Sequence, residues 1–206
     1  MRVLHQAWHY DTRDQTPEDF VRDAPGAVVS VAPALDADEI DALRAACALV
    51  ARYIRTNKLP YALQQRDAMV TDDGTITLRS ALGLTCATFL LVVLERARIR
   101  LIDAASWAEI TDTTRLDADR EVQARIVRGL RGTAKQARAH DSVAADAIDC
   151  HADAVERDEV GCPRVRAEEI AAAFGVAALP APYAAVEPEG RALLAALEQA
   201  NTAPPH

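Results

Sequence analysis

The run from Ala87 to Leu94, Ala-Thr-Phe-Leu-Leu-Val-Val-Leu, holds one polar side chain, Thr88. A segment this apolar offers no wet face at helical spacing, so it has to be covered on every side. It is far too short to cross a bilayer, so it belongs at the centre of a folded core. Charge returns at Glu95, Arg96 and Arg98, and the positive residues suit the negative end of a helix macrodipole. Upstream, Thr85 is a helix-capping residue type, which puts Cys86 in the first turn. The spacing therefore predicts a buried helix with a cysteine at its mouth. Free N–H groups and the positive dipole end favour thiolate over thiol there, and a thiolate is a sulfur nucleophile. The competing reading is a cysteine that only packs, because free Cys is among the most buried residue types.

A helix of this kind needs partners, and the rest of the chain is suited to supply them. Its 206 residues fit one domain of ordinary size, or one domain with a helical appendage. Half the residues are hydrophobic but only 4% are aromatic, and much of the apolar count is Ala, which favours closely packed helices. A net charge of −8 with no long basic run argues against nucleic acid as a partner. Met1-Arg2-Val3-Leu4-His5 runs directly into polar and aromatic residues, so no signal peptide is expected, and neither is a membrane span. A cytoplasmic location is expected. The four cysteines, Cys47, Cys86, Cys150 and Cys162, lack CxxC spacing and read as free thiols.

Residues 2–11 read as a strand, with His5, Ala7, His9 and Asp11 on one face. Residues 12–26 read as a polar loop ending in Pro25-Gly26, and 27–32 as a short buried strand stopped by Pro33. Asp36 with Glu39 has the form of a capping box. Ile40, Leu43, Cys47, Val50 and Ile54 then make a helical stripe that assigns Cys47 to the core. Residues 62–74 read as an extended loop or short helix, Asp72-Asp73-Gly74 as a turn, and 75–78 as a short strand. After the cysteine helix, 99–102 reads as extended. Val122, Ile126 and Leu130 mark a helix closed by Gly132, and Ala144, Ile148, His151 and Val155 a second closed by Gly161. Residues 165–170 open a third. Pro180, Pro182 and Pro188 break the chain before a last short helix at Leu193, Leu194 and Leu197.

A thiolate needs a base, usually His, oriented by a third polar group. Of the five histidines, His206 is in the tail and His140 lies between helices. His151 is on an apolar helical stripe, where a satisfied core histidine is expected. His5 and His9 share one face of the first strand. Cys150, His151 and Cys162 lack the spacing and the fourth ligand of a zinc site, and no cofactor or metal is expected.

Thr85-Cys86-Ala87-Thr88-Phe89, with Val92-Val93 and then Arg98-Ile99-Arg100-Leu101, resembles the nucleophile segment of NlpC-type papain-like hydrolases. In that segment a Cys and a small residue open a buried helix that ends in a Gly-Ile-x-Leu-like exit, and here Arg98 stands where Gly is usual. In the circularly permuted, lecithin:retinol acyltransferase-like branch the His strand precedes the Cys helix, and His5-Gln6-Ala7 is similar to the start of that strand. The order of the 28–31 strand, the Asp36 helix, Pro60-Tyr61 and Cys86 also resembles that branch. The resemblance covers residues 2–103. It implies Cys86 as nucleophile and His5 as base with His9 in reserve, and a third member for which Ser30 and Asp11 are candidates. Tyr61 matches a tyrosine near the oxyanion, and its competing role is to anchor a loop to the core.

The expected fold is α+β: a papain-like core with a small antiparallel sheet on the buried Cys helix, plus C-terminal helices. Residues 1–200 are expected to form a single domain, with a core at 2–103, a helical part at 114–200 and a loose tail at 201–206. The expected function is thiol-dependent hydrolysis of an amide or isopeptide bond, a cysteine peptidase or amidase reaction through an acyl-enzyme. The alternatives are acyl transfer on the same fold, or a non-catalytic adaptor that binds a protein partner.

Overall fold

The computed structural model describes residues 3–8, 11–24, 31, 34–64, 67–159 and 162–202. Strand β1 (Val3–Trp8) pairs antiparallel with β2 (Asp11–Gln15), His5 lying opposite Arg13 and Val3 opposite Gln15. The expected single strand over 2–11 is thus the first arm of a hairpin. The second arm, Asp-Thr-Arg-Asp-Gln, lies in the stretch expected to be loop, since its polarity hides its pairing. Helix α1 (Pro17–Asp23) follows, capped by Thr16. The strand expected at 27–32 falls outside the described residues apart from Val31, and so does Ser30; His9 is outside them too.

Helix α2 (Ala37–Ile54) begins with the expected capping box: Glu39 N–H donates to Asp36 Oδ1 at 2.8 Å and Asp36 N–H to Glu39 Oε2 at 3.0 Å. A second hairpin joins β3 (Met69–Val70) to β4 (Ile76–Thr77) through the expected Asp72-Asp73-Gly74 turn. Gly74 has φ +88° and packs on Leu49, so the turn needs its glycine.

Helix α3 (Cys86–Arg96) carries the apolar run. Both β1 and β3 pack against it, as do α2 and a later helix, α7 (Ala167–Ala173). The helix exit at Arg98 has φ +63°, the left-handed conformation that glycine adopts freely. Arg98 N–H donates to Glu95 O and Ile99 N–H to Leu94 O, both at 2.9 Å, the six-to-one closure of a Schellman motif.

Short helix α4 (Ala104–Ala108) leads to α5 (Thr113–Ala137) and α6 (Ser142–Asp158), which pack on each other along their length. The expected stop at Gly132 is overrun: the glycine is exposed, and one exposed helical Gly costs only about 1 kcal/mol against that packing. Helices α7 (Ala167–Ala173) and α8 (Tyr183–Thr202) close the chain. Pro188 sits inside α8 rather than ending it, and α8 runs through residues 201 and 202, where a tail was expected.

The architecture is α+β and mostly helical, with two two-stranded antiparallel sheets among the described residues. Two apolar cores form. The larger surrounds α3 and draws on α2, the β3–β4 hairpin, α7 and α8. The smaller lies between α5 and α6 and takes in Ala62 and Leu63 from the segment ahead of α3. A buried ionic cluster joins α5 to α7 through the 162–166 segment. Asp119, 2% exposed, accepts from Arg164 Nε at 3.0 Å and Arg166 Nη2 at 2.9 Å. Glu169 pairs with Arg115 and accepts Trp107 Nε1 at 3.0 Å.

Candidate functional site

Cys86 is the first residue of α3, and it is exposed while almost all of the helix behind it is buried. The cap explains the geometry. Thr88 N–H donates to Thr85 Oγ1 at 3.1 Å and Thr85 N–H to Thr88 Oγ1 at 2.7 Å. That box occupies the third N–H of the helix and leaves those of Cys86 and Ala87 directed at the site. The Ala87 and Cys86 N–H groups act on the thiol, as do the charges of Arg164 and Glu168.

The thiol is not depressed. Desolvation by the surrounding protein pushes it above the ordinary value, and it outweighs the lowering by the Ala87 N–H and Arg164. This reverses the expectation drawn from the helix dipole. Accessibility decides whether a reagent reaches the sulfur; the density of protein around it decides its charge. At neutral pH Cys86 is therefore in the thiol form.

Tyr61 is at the site. It lies near enough to Cys86 for the thiol and the N–H there to act on its hydroxyl, which is pushed up to about 12, first by desolvation and then by Cys86. Its segment is pressed against the entry to α3: Leu84 N–H donates to Pro60 O at 3.0 Å. A Cβ on Gly83 would come within 2.7 Å of the Pro60 carbonyl carbon, so only glycine allows this approach.

His5 is half-buried on β1, the strand packed against α3. Its Nε2 lies 2.7 Å from Gln15 Oε1, and its ring meets Phe20 edge-on at 5.1 Å. The tautomer follows from Gln15, whose Nε2 donates to Asp23 Oδ2 at 2.8 Å. That contact turns the amide oxygen to His5, so His5 Nε2 carries the proton and Nδ1 is the basic nitrogen. Gln15 sits diagonally across the hairpin from His5, within reach of a long side chain. A direct His5–Cys86 contact is not among the interactions of the described residues.

The other candidates sort out as follows. Asp11 is engaged by Arg13, at 2.9 and 2.6 Å, which lowers its carboxyl, and the charge of His5 acts on it in the same direction. His9 and Ser30 lie outside the described residues. His151 is half-buried as a satisfied histidine, its Nε2–H donating to Tyr61 O at 3.0 Å. Cys150 is exposed, and no metal-holding group of His, Cys, Asp or Glu forms among the described residues. The residues that reasoning from sequence missed are Gln15, Arg164 and Glu159. Gln15 needed the polar second strand to be recognised. The other two are distant in sequence and reach the site only through tertiary packing.

A cleft of about 520 Å³ lies along the Thr88, Leu91 and Glu95 stripe of α3, walled by Leu63, Trp107 and Val165. Thr88 is two residues from Cys86, about half a turn round the helix, so this cleft flanks the site from behind.

Comparison of the chain with protein-family models, curated proteins and solved structures finds no match. No described helix is long and apolar enough to cross a membrane.

Proposed function

We propose that this chain is a thiol-dependent hydrolase of the circularly permuted NlpC-type, papain-like kind, cleaving an amide or isopeptide bond through an acyl-enzyme. The observation that carries the reading is the exposed Cys86 at the capped N-terminus of a buried helix, with the Tyr61 hydroxyl near it. A substrate carbonyl oxygen entering there replaces the phenol oxygen at the Cys86 N–H and accepts from Tyr61 as charge develops. The raised thiol calls for a base acting during attack.

His5 supplies that base through Nδ1, while Gln15 and behind it Asp23 hold the ring. Gln15 thus takes the third place for which Asp11 and Ser30 were candidates. Packing of β1 on α3 supports the pairing. Nδ1 takes the thiol proton as sulfur bonds to the carbonyl carbon. The oxyanion collapses, the C–N bond breaks, and the imidazolium proton leaves with the amine. Water then attacks the thioester with His5 taking its proton, the C–S bond breaks, and the proton returns to sulfur. With an amine or alcohol in place of water the same steps give acyl transfer. Catalytic hydrogen bonds tighten on substrate binding, so His5 closes on Cys86 in the loaded site.

The test is acylation by a peptide-derived electrophile followed by peptide mapping. Cys86 is expected to be modified ahead of Cys47, Cys150 and Cys162, and His5→Ala is expected to slow it at least tenfold in a folded protein. Simple alkylation by iodoacetamide is expected to rise with pH well into the alkaline range, as the raised thiol requires. A second reading, a papain-like adaptor without catalysis, is favoured by that same raised thiol. It predicts equal acylation of Cys86 with and without His5.

A further inference from the structure

Helix α6 reaches across the chain to the segment that carries Tyr61. Glu159, at its C-cap, is 1% exposed, and its carboxylate accepts two backbone donors: Leu63 N–H at 2.9 Å on Oε2 and Gln64 N–H at 3.0 Å on Oε1. Eight residues earlier, about two turns along, His151 Nε2–H donates to the carbonyl of Tyr61 itself at 3.0 Å. Three main-chain groups of residues 61–64 are thus held by two side chains of one helix. Ala62 and Leu63 are buried in the core between α5 and α6, with Tyr61 at its edge. On its other flank the segment abuts Gly83.

We propose that Glu159 and His151 are positioning residues of the candidate site, clamping the 61–64 segment so that the Tyr61 hydroxyl stays on Cys86. A buried carboxylate is costly to desolvate, and charge-assisted bonds to backbone N–H groups offset that cost. Spent on a loop rather than on a helix or a sheet, such bonds fix where the loop's side chains point. The helical half of the chain, in which sequence reasoning found no chemistry, thereby sets the geometry of the oxyanion position. The consequence for catalysis rests on the hydrolase reading; the clamp itself does not.

Glu159→Gln keeps the shape but leaves one accepting oxygen for two donors. The readout in the full-length chain is the tyrosinate absorbance after a stopped-flow pH jump, with a Tyr61→Phe variant subtracted to isolate Tyr61. In the native protein Tyr61 is expected to ionise near about 12, and in Glu159→Gln to fall toward about 10, its ordinary value. Acylation of Cys86 by the peptide electrophile is expected to fall about tenfold with it. Should Glu159→Gln fail to fold, His151→Ala is expected to give the same downward shift and His151→Gln, which retains a donor, to restore it. Tyr61 ionising at its native value in folded Glu159→Gln, or in folded His151→Ala, overturns the clamp. Should the native chain resist acylation while Tyr61 still shifts, the hydrolase reading fails and the clamp stands.

Discussion

The surroundings of α3 and the surroundings of α5 are built from different material. Around α3, the helix buries Phe89, Leu91, Val92, Val93 and Leu94 against apolar partners from α2 before it and from α7 and α8 after it. The α5 helix is amphipathic, and it buries Arg115, Asp119 and Gln123 alongside Ile126, Val127 and Leu130. Apolar burial needs only area and shape, so many partners can provide it. Buried charge needs named partners in fixed directions, and here they are Arg164, Arg166 and Glu169. The first region carries Cys86 at the start of its central helix, and the second supplies ties with fixed partners.

The sharpest way to break this comparison is to remove the second region. A chain ending at Asp103 loses Ile170, Ala173, Ala181 and Val186 from the α3 core as well as the Glu159 clamp. It is expected to lose cooperative melting and to aggregate, because a large apolar face is left open. A monomeric fragment with a sharp thermal transition and a reactive Cys86 would make the halves independent modules.

The next largest effect is expected at the ionic cluster. Asp119→Ala leaves Arg164 and Arg166 without the carboxylate that both contact, at an expected loss of about 3–5 kcal/mol in chemical denaturation. A loss under about 1 kcal/mol would mean that the cluster is solvated and carries no strict partner requirement.

Leu94→Ala and Leu130→Ala probe one core each, since both leucines are fully buried. Each is expected to cost about 2–5 kcal/mol and to move one common unfolding transition. Two transitions, with each variant moving only its own, would separate the cores energetically.

The smallest effect is expected at the exit of α3. Arg98 holds φ +63°, so Arg98→Gly is expected to raise stability by about 1 kcal/mol, read as a higher denaturation midpoint. Unchanged or lower stability would mean that the arginine side chain makes contacts worth more than the strain it carries.

Features governed by local chemistry were legible. The caps at Asp36 and Thr85 and the turn at Gly74 appear where short-range rules put them. Gly132 and Pro188 misled, because a helical Gly costs about 1 kcal/mol and a helical Pro about 3 kcal/mol, and packing of α5 on α6 and of α8 on α7 outweighs them. The strand Asp11–Gln15 was hidden because a polar strand carries no alternation to read. With it was hidden Gln15, the orienting partner of His5.

What the sequence by itself determined is the buried helix with a capped first turn and Cys86 at its start. An unbroken apolar run has one stable home, and a threonine pair closes its first turn using neighbours three residues apart. Only the tertiary structure decided what meets that cysteine. Tyr61 comes from 25 residues upstream and Arg164 from more than 70 downstream, and Glu159, as distant, holds the segment that carries Tyr61. The Cys86 thiol is raised rather than lowered because desolvation depends on every atom packed nearby, and no local pattern in the chain encodes that sum.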